Sequence, residues 1–233
     1  MLDRLMAIQN IAAAAQTRLE MWSQIIRQEK VVDIAEVGVW RVAYAAHQLQ
    51  HCEDIRAYTM IDPWQQLPDW NKPANKSNAV FESIFAEAMA CTDFAKDKRT
   101  VLRCTTKEAA PDIAPESLDM AYIDGDHTLR GITIDMMLMY EKLRPGGLLG
   151  GDDFVKSVWQ HGPDFDPTFV CPYAIYFAEA MNVPIIALPF AQFLILKDSS
   201  MGFELIHFSE GYKNLRLNKM MRLPPRFGEA QNV

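Results

Sequence analysis

LDMAYIDGDHTLRGITIDMMLMYEKLRPGGLLGGDDF occupies residues 118–154 and carries the pattern of a complete strand–helix–strand unit. Leu118 to Ile123 is a short apolar run of the kind that makes a buried strand. Asp124, Asp126 and His127 follow at once, around the turn residue Gly125. Leu129, Ile132, Met136, Met139, Tyr140 and Leu143 then recur at helical spacing, which predicts one apolar helix face. Pro145, Gly146 and Gly147 are expected to stop that helix. A second buried run, Leu148–Leu149, ends in Asp152 and Asp153. A strand–helix–strand unit of this kind is a right-handed parallel crossover. Both acidic clusters are therefore expected at the carboxyl ends of neighbouring strands, where open α/β sheets bind ligands. Carboxylates crowded into one crevice repel unless a cation or a shared proton relieves them. A hard divalent ion with oxygen ligands is the simplest relief.

The chain has 233 residues, 49% of them hydrophobic, which suits one α/β domain with additions. A net charge of −7 argues against a nucleic-acid or acidic-membrane partner. No apolar run approaches the ~20 residues that span a bilayer, and the N-terminus lacks a signal peptide's pattern. Cys52, Cys91, Cys104 and Cys171 are scattered without metal or disulfide spacing, so a reduced, cytoplasmic setting is expected.

Outward from the central unit, residues 1–29 read as one helix, or two broken near Gln16, with Ile8, Ala12, Ala15, Leu19, Trp22 and Ile26 as an apolar stripe. This extension is expected to pack across the sheet edge; a dimer contact or a lid are the alternatives. Val31–Val39 is a first strand leading into Glu36-Val-Gly38-Val-Trp40, an acidic-glycine turn of the type that meets nucleotide-like ligands. Ala57–Ile61 is a second strand ending in Asp62, placed either to bond a ribose diol or merely to start the turn at Pro63. Thr100–Cys104 is a third, followed by Thr105-Thr106-Lys107-Glu108. Pro184–Leu188 and Gln192–Lys197 read as an antiparallel edge hairpin. The expected fold is thus a mostly parallel seven-stranded sheet with helices on both faces and the last strand antiparallel. It forms a single domain with a core over residues 30–200 and a tail over 201–233. Two long polar loops, 65–79 and 155–171, carry Trp70 and Trp159. The tail carries Lys213, Arg216, Lys219, Arg222 and Arg226, read as a solvated basic segment.

IDPW after the second strand, TTKEAA after the third, AYIDGDH after the fourth and LRPGGLLGGDDF at the fifth together resemble class I S-adenosylmethionine-dependent methyltransferases. The pattern IDGDH…LRPGG…GDDF is similar to their metal-dependent branch, which methylates hydroxyls of sugars and sugar-bearing natural products. The resemblance covers about residues 31–197. It implies a Rossmann-like fold, with Glu36 and Gly38 lining the adenosylmethionine site, Asp62 holding the ribose hydroxyls and Thr106 or Glu108 near the adenine. It further implies that Asp124, Asp152 and Asp153 bind Mg²⁺ or a similar ion, Asp124 lying beside the cofactor as well. Asp126 is placed as general base, with His127 competing. Val42 and Tyr44 depart from the pattern, standing where relatives carry Gly and Ser.

Methyl transfer to an alcohol needs the hydroxyl held in line with the methyl group and relieved of its proton. A metal that chelates two sugar oxygens would serve both needs. Asp126 also fits a cap of the helix starting near Thr128, and Asp153 a cap after the fifth strand. Asp135 is expected to be solvated, and His47 with His51 to be a surface pair. Trp64, Trp70 and Trp159 either stack on an acceptor or pack the loops. The function expected is O-methylation of a sugar or glycosylated small molecule, by a possible homo-oligomer. A metal-dependent hydrolase, or a non-catalytic partner protein keeping the fold, are the alternatives.

Overall fold

The computed structural model describes residues 2–212 and 215–223. Its strands are β1 (Asp33–Val37), β2 (Ala57–Ile61), β3 (Arg99–Leu102), β4 (Leu118–Ile123), β5 (Leu143–Gly151), β6 (Ile185–Leu188), β7 (Gln192–Leu196) and β8 (Leu205–His207). They form one sheet in the order β3-β2-β1-β4-β5-β7-β6-β8. β1 to β5 run parallel, β7 is antiparallel to both β5 and β6, and β8 is parallel to β6. The chain winds outward from β1 in one direction and from β4 in the other. The gap between the ends of β1 and β4 is therefore the topological switch point, the crevice where such sheets bind ligands.

β1, β6 and β7 are buried along their whole length. Their unbroken apolar runs are what a sheet covered on both faces requires. Successive residues serve opposite layers. Tyr122, Leu148 and Leu194 pack with Trp22, Tyr44 and Tyr58 on one face. Ile123, Leu149 and Phe193 pack with Ile132, Met136 and Phe154 on the other. The first layer is covered by α1 (Leu2–Ala14), α2 (Arg18–Gln28), α3 (Ala43–His51) and α4 (Asn78–Cys91). The second is covered by α5 (Thr106–Ala109), α6 (Leu129–Lys142) and α7 (Val170–Met181).

The structure corrects four expectations. Among the described residues the sheet has eight strands, because Leu205–His207 adds β8 to β6. The hairpin is accordingly interior, with β7 between β5 and β6. Pro145 to Gly147 do not follow the helix as a turn: α6 ends at Lys142, and the strand absorbs them as an irregularity between the pairs Leu118–Leu143 and Met120–Leu148. Leu129, assigned to the inner helix face, is half exposed.

The N-terminal extension is two helices, broken at Thr17, whose hydroxyl caps α2 by accepting from the Glu20 N–H at 3.2 Å. α2 does not lie at the edge. Trp22, wholly buried, lies against Gly150 of β5 in the middle of the sheet, where a Cβ on Gly150 would stand 2.3 Å from its ring. The two long loops are tied to each other. The Asn71 N–H donates to Asp166, and the buried Lys72 ammonium donates to the Asp166 and Pro167 carbonyls and the Thr168 hydroxyl. Arg216, Lys219 and Arg222 are exposed, as expected of a solvated segment, but Tyr212 and Met220 are buried. Lys213 and Arg226 lie outside the described residues. Among the described residues, no helix is long and apolar enough to cross a membrane, and the four cysteines are free.

Candidate active site

A cavity of about 660 Å³ opens at the switch point. Its walls include Glu36, Gly38, Asp62, Thr106, Asp124, Asp126, His127 and Asp153. Eight of the ten residues singled out from sequence thus converge.

One half of the cavity wall is built on close backbone approach. Gly38 has φ +84°, and a Cβ on it would sit 2.0 Å from the Asp124 carbonyl oxygen. Only glycine lets the end of β1 pass the end of β4 at this distance. Asp62 both starts a turn and fastens this loop. Its carboxylate accepts from the Trp64 N–H at 2.7 Å and from the Val39 and Trp40 N–H groups at 3.0 and 2.9 Å. Glu36 is buried, accepts the Tyr58 hydroxyl at 2.6 Å, and is pushed well above the carboxylate range by desolvation. The departures at Val42 and Tyr44 leave the cavity open. Val42 is buried at φ +67°, and Tyr44 stacks on Tyr122 at 3.8 Å beneath the turn. Glu108 stands apart from the cavity: its carboxylate reaches back to the Thr105 N–H at 2.9 Å in a capping box at the start of α5.

The acidic half contains a histidine–carboxylate pair. His127 Nδ1 lies 2.6 Å from Asp153, while its buried Nε2 has no hydrogen-bond partner among the described residues and stands 3.5 Å from Asp124. Desolvation alone would lower the His127 pKa, but the hydrogen bond to Asp153 and the charges of Asp153 and Asp124 raise it. Burial likewise raises Asp153, yet His127 outweighs it and brings that carboxyl down to about 2. Asp124 is pushed to about 7 by desolvation, against the pull of His127 and Arg18. Asp126 is spent locally: it accepts the Thr128 N–H and the Trp70 indole N–H, both at 3.0 Å, and the Thr128 hydroxyl. The helix cap itself is Thr128, which accepts from the Gly131 N–H. Of the three loop and turn tryptophans, Trp70 lines the cavity. Trp64 is buried against Phe85, and Trp159 donates to the Met221 carbonyl.

Asp152 stands behind the wall. It accepts from the Gln192 amide at 2.5 Å, and Gln192 in turn accepts from the Trp22 indole N–H and the Tyr122 hydroxyl. Arg18, which no motif marked, enters from the first turn of α2. It pairs with Asp152, and its guanidinium lies 3.6 Å from Asp124. The one clue to it in the sequence is that it stands four residues before Trp22, on the same helix face as an anchor of the core.

Asp135 reverses its expectation. It is buried, with one oxygen unpartnered, because α6 turns it under the Gly125 turn rather than to solvent. Desolvation raises it to about 7, against hydrogen bonds from Thr106 and the Asp126 backbone. A carboxyl whose folded pKa exceeds its unfolded value stabilises fully below the unfolded pKa, and that stability is lost as pH rises through the folded one. Between pH 5 and 8 the wild type should therefore lose roughly 2 kcal/mol more stability than Asp135→Asn does. Urea unfolding at the two pH values measures the difference, and parallel pH responses would refute it.

The carboxylates do not fit a divalent ion as they stand. Arg18 fills the space between Asp124 and Asp152, and Asp153 is turned to His127. Among the described residues, no three His, Cys, Asp or Glu side chains gather as a metal-holding group.

A family model described as a methyltransferase domain matches residues 35–154. Solved structures share the fold at low identity. A Bacillus cereus O-methyltransferase in complex with S-adenosylhomocysteine is 15% identical with a TM-score of 0.57, over 83% of this chain and 90% of that one. A Staphylococcus aureus protein assigned as a caffeoyl-CoA O-methyltransferase is 14% identical with a TM-score of 0.58, over 78% and 83%. A Podospora anserina methyltransferase bound to S-adenosylhomocysteine is 14% identical with a TM-score of 0.51, over 83% and 87%. No curated protein matches the chain.

Proposed function

The chain belongs to the methyltransferase-domain family, and from that premise we propose that it moves the methyl group of S-adenosylmethionine to a hydroxyl of a sugar or glycosylated small molecule. The observation that carries this reading is His127. Its Nδ1 is held by Asp153 at 2.6 Å while its buried Nε2 has no hydrogen-bond partner among the described residues. An imidazole oriented on one side by a carboxylate and without a hydrogen bond on the other, where Asp124 stands 3.5 Å away, is built to take a proton from a hydroxyl.

The residues present fit the cofactor. Gly38 lets the ends of β1 and β4 close on each other beneath the cavity, and Glu36, Asp62, Thr106 and Asp124 all line it. Glu36 and Asp124 would face the methionine part, Asp62 the ribose and Thr106 the adenine. When bound, the cofactor supplies an electrophilic methyl group on a sulfonium. The protein's part is to hold the acceptor oxygen in line, keep out water and accept the proton. His127 Nε2 accepts it, and Asp153 keeps the ring in the tautomer that leaves Nε2 as the acceptor. Asp126 holds Trp70 in the cavity wall, where an indole face suits the apolar side of a sugar ring. The tie between the two long loops closes that wall.

The alternatives lose their footing. A metal-dependent hydrolase needs the carboxylates that Arg18 and His127 occupy. A non-catalytic partner protein was suggested by Val42 and Tyr44; Val42 is buried outside the lining and Tyr44 joins the wall, yet about 660 Å³ of cavity remains beside them.

Incubation with radiolabelled S-adenosylmethionine and a panel of glycosides, phenols and carboxylic acids tests the acceptor class. Label is expected on glycoside hydroxyls. Transfer confined to carboxylates or amines would overturn the reading.

A further inference from the structure

We infer that Arg18 is the resident cation of this site, held between Asp124 and Asp152 in place of a divalent ion, so that methyl transfer here is independent of metal. The inference rests on the proposed methyl transfer only for its activity readout.

Three observations carry it. First, the guanidinium is paired with Asp152 and stands 3.6 Å from Asp124. A magnesium or calcium ion needs oxygen ligands at roughly 2.0–2.6 Å, and the guanidinium already takes that space. Second, Arg18 is built in. Thr17 caps the helix in front of it, and Trp22, one turn on, is buried against Gly150 and donates to Gln192 at 2.9 Å. Gln192 also donates to Asp152, so the cation and its carboxylate hang from the same anchor. Third, the remaining carboxylate is committed elsewhere, Asp153 to His127 at 2.6 Å. An arginine keeps its charge at every working pH and presents several fixed donors. It can therefore offset two crowded carboxylates and still turn an N–H toward the cavity, whose wall it joins.

The test combines thermal melting in Mg²⁺ or Mn²⁺, turnover after chelation, and S-adenosylhomocysteine binding. It uses wild type, Arg18→Ala and Arg18→Lys. The wild-type midpoint is expected to ignore both ions, and chelation to leave turnover unchanged. Arg18→Ala should lose roughly tenfold or more in turnover, the equivalent of one charge-assisted hydrogen bond. It should also acquire a midpoint rise of several degrees with Mn²⁺ as the two carboxylates become available. Arg18→Lys, which keeps the charge, should fold and remain insensitive to both ions. A wild-type midpoint raised by either ion, wild-type turnover stopped by chelation, or full turnover of Arg18→Ala in chelator would each overturn the inference. A wild type that fails to bind S-adenosylhomocysteine would instead strike the methyltransferase reading, and the metal titrations would still decide the role of Arg18.

Discussion

Replacing His127 by alanine should lower turnover by about 10²–10⁴-fold, the range for removal of a positioned general base, while S-adenosylhomocysteine affinity changes little. The separation follows from where His127 sits. Its ring lies between Asp124 at 3.5 Å and Asp153 at 2.6 Å, whereas the turn at Gly38 is held by the Val39 and Trp40 N–H groups donating to Asp62. Asp153→Asn should reproduce much of the loss. An amide at that position can donate to Nδ1 and leave the proton on Nε2, which turns the acceptor nitrogen away from the substrate. Asp126→Asn should do less to turnover, because Asp126 is engaged by Trp70 and Thr128 and acts on the wall. Steady-state kinetics with a fixed acceptor separates the three. Equal losses at Asp126 and His127 would count against the assignment of the base.

Gly38→Ala should weaken cofactor binding by about two orders of magnitude, the result of at least ~3 kcal/mol of backbone displacement. Two independent obstacles add at this position. Alanine at φ +84° is strained in itself, and its Cβ would meet the Asp124 carbonyl at 2.0 Å and Gly125 at 2.6 Å. These contacts are backbone, so no side-chain rotation relieves them. The ends of β1 and β4 must separate, and they are the floor of the proposed cofactor site. The hydrophobic layers on either side of the sheet are not touched by the change, so circular dichroism should report a folded variant. Unchanged affinity would mean that the cofactor does not approach this turn.

The central strand–helix–strand unit was legible because one period serves both local structure and burial. Ile132, Met136 and Met139 fall on the buried side of α6, and Leu148 and Leu149 feed the two layers of the core. The convergence of Asp124, Asp126, His127 and Asp153 was legible too, since parallel strands place their carboxyl ends together. What escaped depends on contacts distant in sequence. Arg18 reaches a site more than a hundred residues away, and only the docking of Trp22 on Gly150 brings it there. Asp135 was read from its polarity, whereas its position on α6 places it inward beneath Gly125. The strand β8 is three half-buried residues, too short for periodicity to register. Glu108, offered beside Thr106 as a neighbour of the adenine, stands outside the cavity lining for a local reason: Thr105 and Glu108 carry the spacing of a capping box, a signature that competes with assignment to a ligand.

Calorimetric titration of S-adenosylmethionine and S-adenosylhomocysteine into the wild-type protein, with Gly38→Ala alongside, tests the account most directly. Saturable one-to-one binding of both compounds is expected without added metal, with loss or severe weakening in Gly38→Ala. Absence of binding to a folded wild type, or equal binding by the two proteins, would contradict it.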